Sequence, residues 1–490
     1  MPIGGQTIAM LGYTLSFALA VILIAVSLLS VQLVLLAWAR LFRPAPILAR
    51  LQPSDSALPH VLVQLPVCNE GPLALRVATA ACALDWPHDR LTIQLLDDGT
   101  EANHAVLAAS LKEIVPPGVR LQLLRRGDRK GFKAGNLAFG LNHCEAPYVA
   151  IFDADFVPSP DFLRRTVPVL LADDGLCFVQ ARWGHNNRDV NWLTRAQGVL
   201  LDSHFAVEQE ARFRAGLPMS FNGTAGVWNR VAIEQAGGWT GDTLTEDLDL
   251  SMRCALAGWR MAMLPDIVVP GELPSTAAAW RAQQARWTKG HAQCARKLLP
   301  LVWASDKPFG IKLAMSGQMC QFAFYTLAFI SAAISLIMMS VGIQAYPAVR
   351  ALGLVVTFLG ISCSIGYLWL GQRMLSRQQA DKLYCTLVLA LVFPSGLILA
   401  NTWATLEAFF STRMDFIRTL RAGEIVAGGW RGAPELIVGI FVAALAVAES
   451  NWNALFFVFA VSGLVSIGTM GATGALMPQP ARRPISTPAE

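Results

Sequence analysis

The chain has 490 residues, 54% of them hydrophobic and 15% charged, with a mean hydropathy of +0.45. Soluble domains carry roughly 25% charged residues, so a wholly soluble chain is excluded and much of the surface is expected to face lipid. The net charge of +5 is small for this length and the basic residues sit beside apolar segments, which argues against nucleic acid as a partner.

The first apolar stretch, about Ile8 to Trp38, exceeds the ~20 residues that a spanning helix needs. No Lys or Arg precedes it, whereas Arg40, Arg43 and Arg50 follow. A secretory signal carries its charge on the other side, so residues 1–42 read as an uncleaved anchor. The positive-inside bias then places the next domain in the cytoplasm, at a bacterial inner membrane.

Residues 45–305 form a polar block. Strand-like runs at His60–Leu65, Leu91–Leu96, Arg120–Leu124 and Tyr148–Phe152 alternate with helical stretches at Pro72–Leu84, Glu101–Ile114 and Gly135–Leu141. That alternation predicts a mainly parallel α/β sheet with right-handed crossovers. Such sheets bind ligands beyond the carboxyl ends of their strands. Pro66, Asn69, Glu70, Asp97, Asp98, Asp153 and Asp155 fall at those positions.

Apolar runs follow at about 314–343, 350–371, 383–411, 434–450 and 453–477. Arg373, Arg377 and Lys382 before the third run, and Arg413, Arg418, Arg421 and Arg431 after it, both ask for the cytoplasm. One crossing cannot satisfy both. A re-entrant or interfacial element at 383–411, which contains Pro394 and Gly396, removes the conflict and leaves four crossings within 311–477. The Pro-rich tail 478–490 is expected to be disordered.

The nine cysteines contain no C-x-x-C and the seven histidines no H-x-x-x-H, so neither redox nor zinc chemistry is expected. The chemistry lies with carboxylates. In an extended segment Asp153 and Asp155, at i and i+2, face one side and suit a hard cation with phosphate oxygens. Asp97-Asp98-Gly99 offers a carboxylate to a base or ribose hydroxyl, and one of the pair also suits a helix N-cap. Thr245-Glu246-Asp247 reads as a helix start with Thr245 as cap. Asp247 is the candidate base, its pKa lowered by the helix dipole and raised by burial and its acidic neighbours. Lys133, at a loop-to-helix junction, suits a diphosphate. Gln283, Arg286 and Trp287, at i, i+3 and i+4, share a helix face. Arg286 there suits phosphate and Trp287 a sugar ring, while Arg281, Lys289, Arg296 and Lys297 suit an interfacial helix on anionic lipid. The Gly-bearing turn Asn222-Gly223-Thr224 suits close approach to an acceptor.

Together these residues resemble the processive branch of family 2 inverting glycosyltransferases, which includes cellulose synthase catalytic subunits, mannan synthases and bacterial β-glucan synthases. Its D, D-x-D, T-E-D and Q-x-x-R-W signature is similar to Asp98, Asp153/Asp155, Thr245-Glu246-Asp247 and Gln283/Arg286/Trp287, and Lys133-Ala134-Gly135 also fits. The resemblance covers about Pro59 to Lys297 and the membrane layout. It implies a GT-A (Rossmann-like) domain between transmembrane helices, a UDP- or GDP-sugar donor, and Mg²⁺ or Mn²⁺ at Asp153/Asp155. It implies catalysis at Asp247 with Glu246 beside it. Pro66, Asn69, Glu70, Asp97, Asp98, Lys133, Asp153 and Arg286 are then expected at the nucleotide-sugar, and Asn222, Gly223, Thr224, Gln283 and Trp287 at the growing glycan. Phe416, Arg418, Thr419 and Arg421 resemble the family's F-x-V-T-x-K gating loop, with Arg418 and Arg421 replacing Val and Lys. The expected activity is polymerisation and export of a β-glucan or β-mannan, with accessory export subunits as further partners. A glycolipid synthase adding one hexose to ceramide or diacylglycerol is the nearest rival. A channel or scaffold with a nucleotide-sugar-binding domain is a third reading.

Overall fold

The computed structural model describes residues 3–375 and 384–411, with positions 434–435, 437–440, 461 and 463–465. The gating-like Phe416, Arg418, Thr419 and Arg421, the tail 478–490, and most of the two apolar runs after 434 lie outside the described residues.

Among the described residues, seven strands form one sheet in the order β3-β2-β1-β4-β6-β5-β7. They are β1 (Val61–Val67), β2 (Leu91–Asp97), β3 (Arg120–Arg125), β4 (Tyr148–Ile151), β5 (Leu176–His185), β6 (Gly226–Asn229) and β7 (Arg260–Gly271). The first four match the strand-like runs of the sequence. Every residue of β1 and β2 is buried, as expected of a parallel sheet covered on both faces. β1 pairs in parallel with β2 and β4, β2 with β3, and β5 with β7. The short β6 runs antiparallel between β4 and β5. Gln64, Gln94 and Gln122 lie in register across β1, β2 and β3. Gln64 donates to Gln94 at 3.3 Å and Gln94 to Gln122 at 3.2 Å, a buried ladder that a one-residue slip would break.

Among the described residues, three helices are long and apolar enough to cross a membrane: Thr7–Phe42, Phe309–Ser340 and Pro347–Leu375. A fourth candidate is a bent pair, Tyr384–Ser395 and Ile398–Phe410, which meet at 44°. The break follows Pro394, whose ring removes a helix donor.

A rod made of the helices Trp192–Ser203 and Glu210–Arg214, joined by a π-helical turn at His204–Gln209, fastens the sheet to these helices. Arg40 pairs with Glu210 at 2.9 Å and donates to the Ala206 carbonyl at 2.7 Å. Tyr367 Oη donates to the Ser203 carbonyl at 3.0 Å. A Cβ on Gly371 would lie 2.3 Å from Ser203 Oγ, so only glycine allows this approach. Gly371→Ala is expected to cost about 1–3 kcal/mol by overpacking and to lower the melting temperature of the detergent-solubilised protein. An unchanged melting curve would show that this contact is not tight.

Candidate active site

A cavity of about 500 Å³ opens at the carboxyl ends of β1, β2 and β4. Pro66, Glu70, Asp98, Lys133, Asp153, Asp155, Asn222, Gly223, Glu246, Asp247, Gln283, Arg286 and Trp287 all line it. Three expected site residues do not: Asn69, Asp97 and Thr224 serve the frame instead.

Successive strand residues point to opposite faces, so Asp97 and Asp98 part company. Asp97 is fully buried, accepting from Gly99 N at 2.8 Å and facing His104 Nδ1 at 2.9 Å. Asp98 reaches the cavity, gripped by Arg126 through Nε at 2.8 Å and Nη2 at 2.7 Å. The cap of the helix Glu101–Ile114 is Thr100, which accepts from Asn103 N at 3.4 Å. The Asn69 side chain accepts from Thr100 N at 2.8 Å, bracing that turn away from the cavity. Arg126 escaped the sequence reading. The strand-end rule applied to β3, which stops at Arg125, would have found it.

β4 stops at Ile151, before the D-x-D residues. The expected extended geometry at Asp153 and Asp155 is absent, because Phe156 N donates to the Asp153 carbonyl at 2.9 Å and closes a turn. Both carboxylates still line the cavity. Thr224 is fully buried, and its hydroxyl accepts from Asp153 N at 2.9 Å, fixing the turn from behind.

Lys133 lies in the first turn of the helix Phe132–Leu141, reached through Gly131 at φ 72° and Phe132 at φ 47°. Its Nζ donates to Asp153 Oδ1 at 2.5 Å and to the Gly223 carbonyl at 2.9 Å, and lies 3.9 Å from Glu246 Oε1. The ammonium therefore bridges the carboxylates of both motifs. Burial disfavours its charge, but Asp153, Glu246 and Asp247 outweigh burial and raise its pKa.

The helix Glu246–Leu256 opens at Thr245, but the Thr245 side chain makes no cap bond. Its Oγ1 lies 3.4 Å from Cys294 Sγ on the neighbouring helix Ala277–Ala304. Asp247 is half-buried at the cavity wall, and its pKa is pushed up to about 7, by desolvation first and by Glu246 second, with Lys133 and Arg286 pulling the other way. The helix dipole expected to weaken this base does not prevail. The helix Ala277–Ala304 supports the motif at Gly290, where a Cβ would lie 2.5 Å from Thr245 Cγ2 and 2.9 Å from Thr245 N. Gly290→Ala is expected to displace Asp247 and lower kcat about 100-fold, with donor binding retained. Wild-type turnover in that variant would refute the packing argument.

Gln283, Arg286 and Trp287 line one wall of the cavity. The basic residues around them do not await lipid. Lys289 pairs with Glu407 at 3.1 Å and Arg281 with Glu435 at 2.9 Å. Arg296 donates to the Ala408 carbonyl at 2.6 Å, and Lys297 holds Asp249 at 2.8 Å. Three of the four thus pack this helix against protein from the apolar segments. His204, His291, Gln321, Tyr325 and Pro394 complete the cavity on its membrane side. Their contribution comes from tertiary packing and carried no local signal.

Among the described residues no group of three or more His, Cys, Asp or Glu could hold a metal by itself. Two cavity carboxylates fit a different arrangement, in which Mg²⁺ or Mn²⁺ shares Asp153 and Asp155 with diphosphate oxygens and water. Asp153 already accommodates one cation, the Lys133 ammonium.

Residues 63–232 match the model of glycosyl transferase family 2, and residues 148–398, just over half of the chain, match that of glycosyl transferase family group 2. Glucomannan 4-beta-mannosyltransferase 1 of Oryza sativa subsp. japonica is 46% identical over 248 residues, which is 50% of this chain and 48% of that protein. Glucomannan 4-beta-mannosyltransferase 2 of Arabidopsis thaliana is 45% identical over 251 residues, 50% of this chain and 47% of its own. The chain thus spans about half the length of the curated relatives it matches. The mannosyltransferase PcManGT from Pyrobaculum calidifontis, solved with GDP-Man and Mn²⁺, superposes with a TM-score of 0.54 at 20% identity, over 81% of this chain and 100% of that one. That likeness shows the GT-A fold. By its sequence match and its fold, this chain is a member of glycosyl transferase family group 2.

Proposed function

We propose that the protein polymerises a β-1,4-linked mannan-type polysaccharide from GDP-mannose at a membrane. One observation carries the polymer reading: a single cavity runs from Asp98 through Asp247 and Trp287 to Gln321, Tyr325 and Pro394, so an acceptor leaving the base moves toward apolar helices. The similarity to glucomannan mannosyltransferases favours mannose over glucose, and the GDP-Man complex of the structural neighbour favours a guanosine donor. The relatives named come from rice and Arabidopsis and lend no support to a bacterial inner membrane. Three candidate spans among the described residues support an integral membrane protein, and the Arg40, Arg43 and Arg50 cluster favours a cytosolic catalytic domain.

In this reading Asp247 takes the proton from the acceptor hydroxyl. That oxygen attacks the anomeric carbon in line, and the bond to the diphosphate breaks with inversion. Lys133 and Arg286 hold positive charge where the leaving group becomes negative. Mg²⁺ or Mn²⁺ at Asp153 and Asp155 would supply further neutralisation of the diphosphate. Asp98, held by Arg126, would meet the nucleoside, and Trp287 would stack on the acceptor ring.

Membranes containing the protein, given labelled GDP-mannose or UDP-glucose, are expected to incorporate mannose into a product that endo-β-1,4-mannanase degrades. A lipid-soluble monoglycoside would overturn the polymer reading in favour of glycolipid synthesis. No donor consumption would overturn both.

A further inference from the structure

We propose that His204 is a positioning residue for the glycan acceptor, acting through the side-chain amide of Asn222. The inference rests on the glycosyltransferase reading above. His204 opens the π-helical turn His204–Gln209. Such turns hold an extra residue and occur mostly where a side chain must be re-aimed. Here His204 lines the same cavity as Asn222, Gly223 and His291.

Each hydrogen bond around His204 has a fixed direction. Gln209 Nε2 donates to the Ser220 carbonyl at 2.8 Å and to Asn222 Oδ1 at 2.5 Å, which settles which end of the Asn222 amide is oxygen. Asn222 Nδ2 then donates to His204 Nε2 at 2.9 Å, so that ring nitrogen carries no proton. The ring proton lies on Nδ1, which donates to Glu208 Oε2 at 3.0 Å. Glu208 Oε1 accepts from Gln321 Nε2 at 2.8 Å and from Arg212 Nε at 3.2 Å. Burial raises the Glu208 pKa, but the hydrogen bond from His204 and the Arg212 guanidinium outweigh it and lower it, so this acceptor stays ionised.

The chain of bonds ends opposite the base. Asn222 N donates to Gln180 Oε1 at 2.9 Å, and the next carbonyl, Gly223, accepts from Lys133. A Cβ on Gly223, which sits at φ +80°, would meet Asp247 Oδ2 at 3.1 Å. The Asn222–Gly223 turn is therefore the wall facing Asp247, where an acceptor hydroxyl must lie. His204 uses one of the two Nδ2 protons, and the other is the donor that a sugar hydroxyl would meet. Since Gln321 belongs to the segment Phe309–Ser340, the network also ties this wall to a candidate span.

The test compares wild type, His204→Leu and His204→Gln in steady-state transfer from GDP-mannose to a β-1,4-manno-oligosaccharide. Leu removes both bonds, whereas Gln keeps one donor and one acceptor. His204→Leu is expected to raise the acceptor KM about tenfold, to leave the donor KM unchanged, and to divert donor toward hydrolysis. His204→Gln is expected to recover most of the loss. Gln209→Met frees the other end of the same amide and should raise the acceptor KM in the same way, even if His204→Leu fails to fold. A wild-type acceptor KM in the variants, equal losses for Leu and Gln, or a parallel rise in both KM values would overturn the inference while donor turnover stands. A wild-type protein that consumes no nucleotide-sugar would overturn the glycosyltransferase reading, and this inference with it.

Discussion

Asp247→Asn is expected to lower kcat by about 10³-fold, the range for losing a positioned general base, while the donor KM stays within about twofold of wild type. The amide keeps the shape and the bond from Leu248 N, at 2.8 Å, but cannot take a proton. Because the Asp247 pKa of the free protein stands at about 7, wild-type log kcat/KM should rise with unit slope below pH 7 and level off above it. The variant should show no such limb. The same shift predicts a stability effect of opposite sense. A carboxylate whose folded pKa lies above its ordinary 3.8 favours the fold at low pH, and that contribution is lost as pH rises through about 7. Asp247→Asn, with no charge to bury, should therefore melt above wild type, by a margin that widens from pH 5 to pH 8. A full-rate variant, or a margin that shrinks with pH, would refute the assignment.

Lys133→Met should be the second severe loss. The ammonium joins Asp153, Gly223 and Glu246 and holds the Asp247 pKa down. Without it Asp153 loses a partner at 2.5 Å and Asp247 faces Glu246 with one cation fewer. The acid limb of kcat/KM should move up by about one pH unit. The plateau above it should fall by about 10²-fold through lost leaving-group stabilisation. A lower plateau with an unmoved limb would mean that Lys133 serves the donor alone. An unchanged plateau would remove it from the mechanism.

Much of this site was legible in the sequence. The four strand-like runs became β1 to β4: β1, β2 and β4 are largely apolar because they lie buried in the sheet, while β3 is an edge strand, partly exposed, that keeps Arg120, Gln122 and Arg125. β5, β6 and β7 were missed. β6 is only four residues long and takes its place from its partners, so no local pattern marks it. The i, i+3, i+4 spacing placed Gln283, Arg286 and Trp287 on one face, but spacing cannot say what packs around a helix. Arg281, Lys289 and Arg296 met protein where lipid was expected. Asp97 is buried while its neighbour Asp98 lines the cavity, a division of roles that the sequence allowed without saying which residue took which. Thr245 shows the limit of cap statistics, because Cys294 and Gly290 crowd its side chain. His204 and Glu208 share one turn, but Asn222 and Gln321 come from separate stretches of chain that only the fold brings to them.

The membrane-side wall of the cavity bears on how the enzyme could be handled. A recombinant fragment truncated after Ser305 would retain every motif residue from Asp98 to Trp287. It would lack Gln321, Tyr325 and Pro394, and it would leave Lys289, Arg281 and Arg296 without Glu407, Glu435 and the Ala408 carbonyl. Glu208 would lose the donor from Gln321 as well. Such a fragment lacks one wall of the cavity, whereas a preparation in detergent or nanodiscs that keeps the chain through Glu435 retains every partner named here.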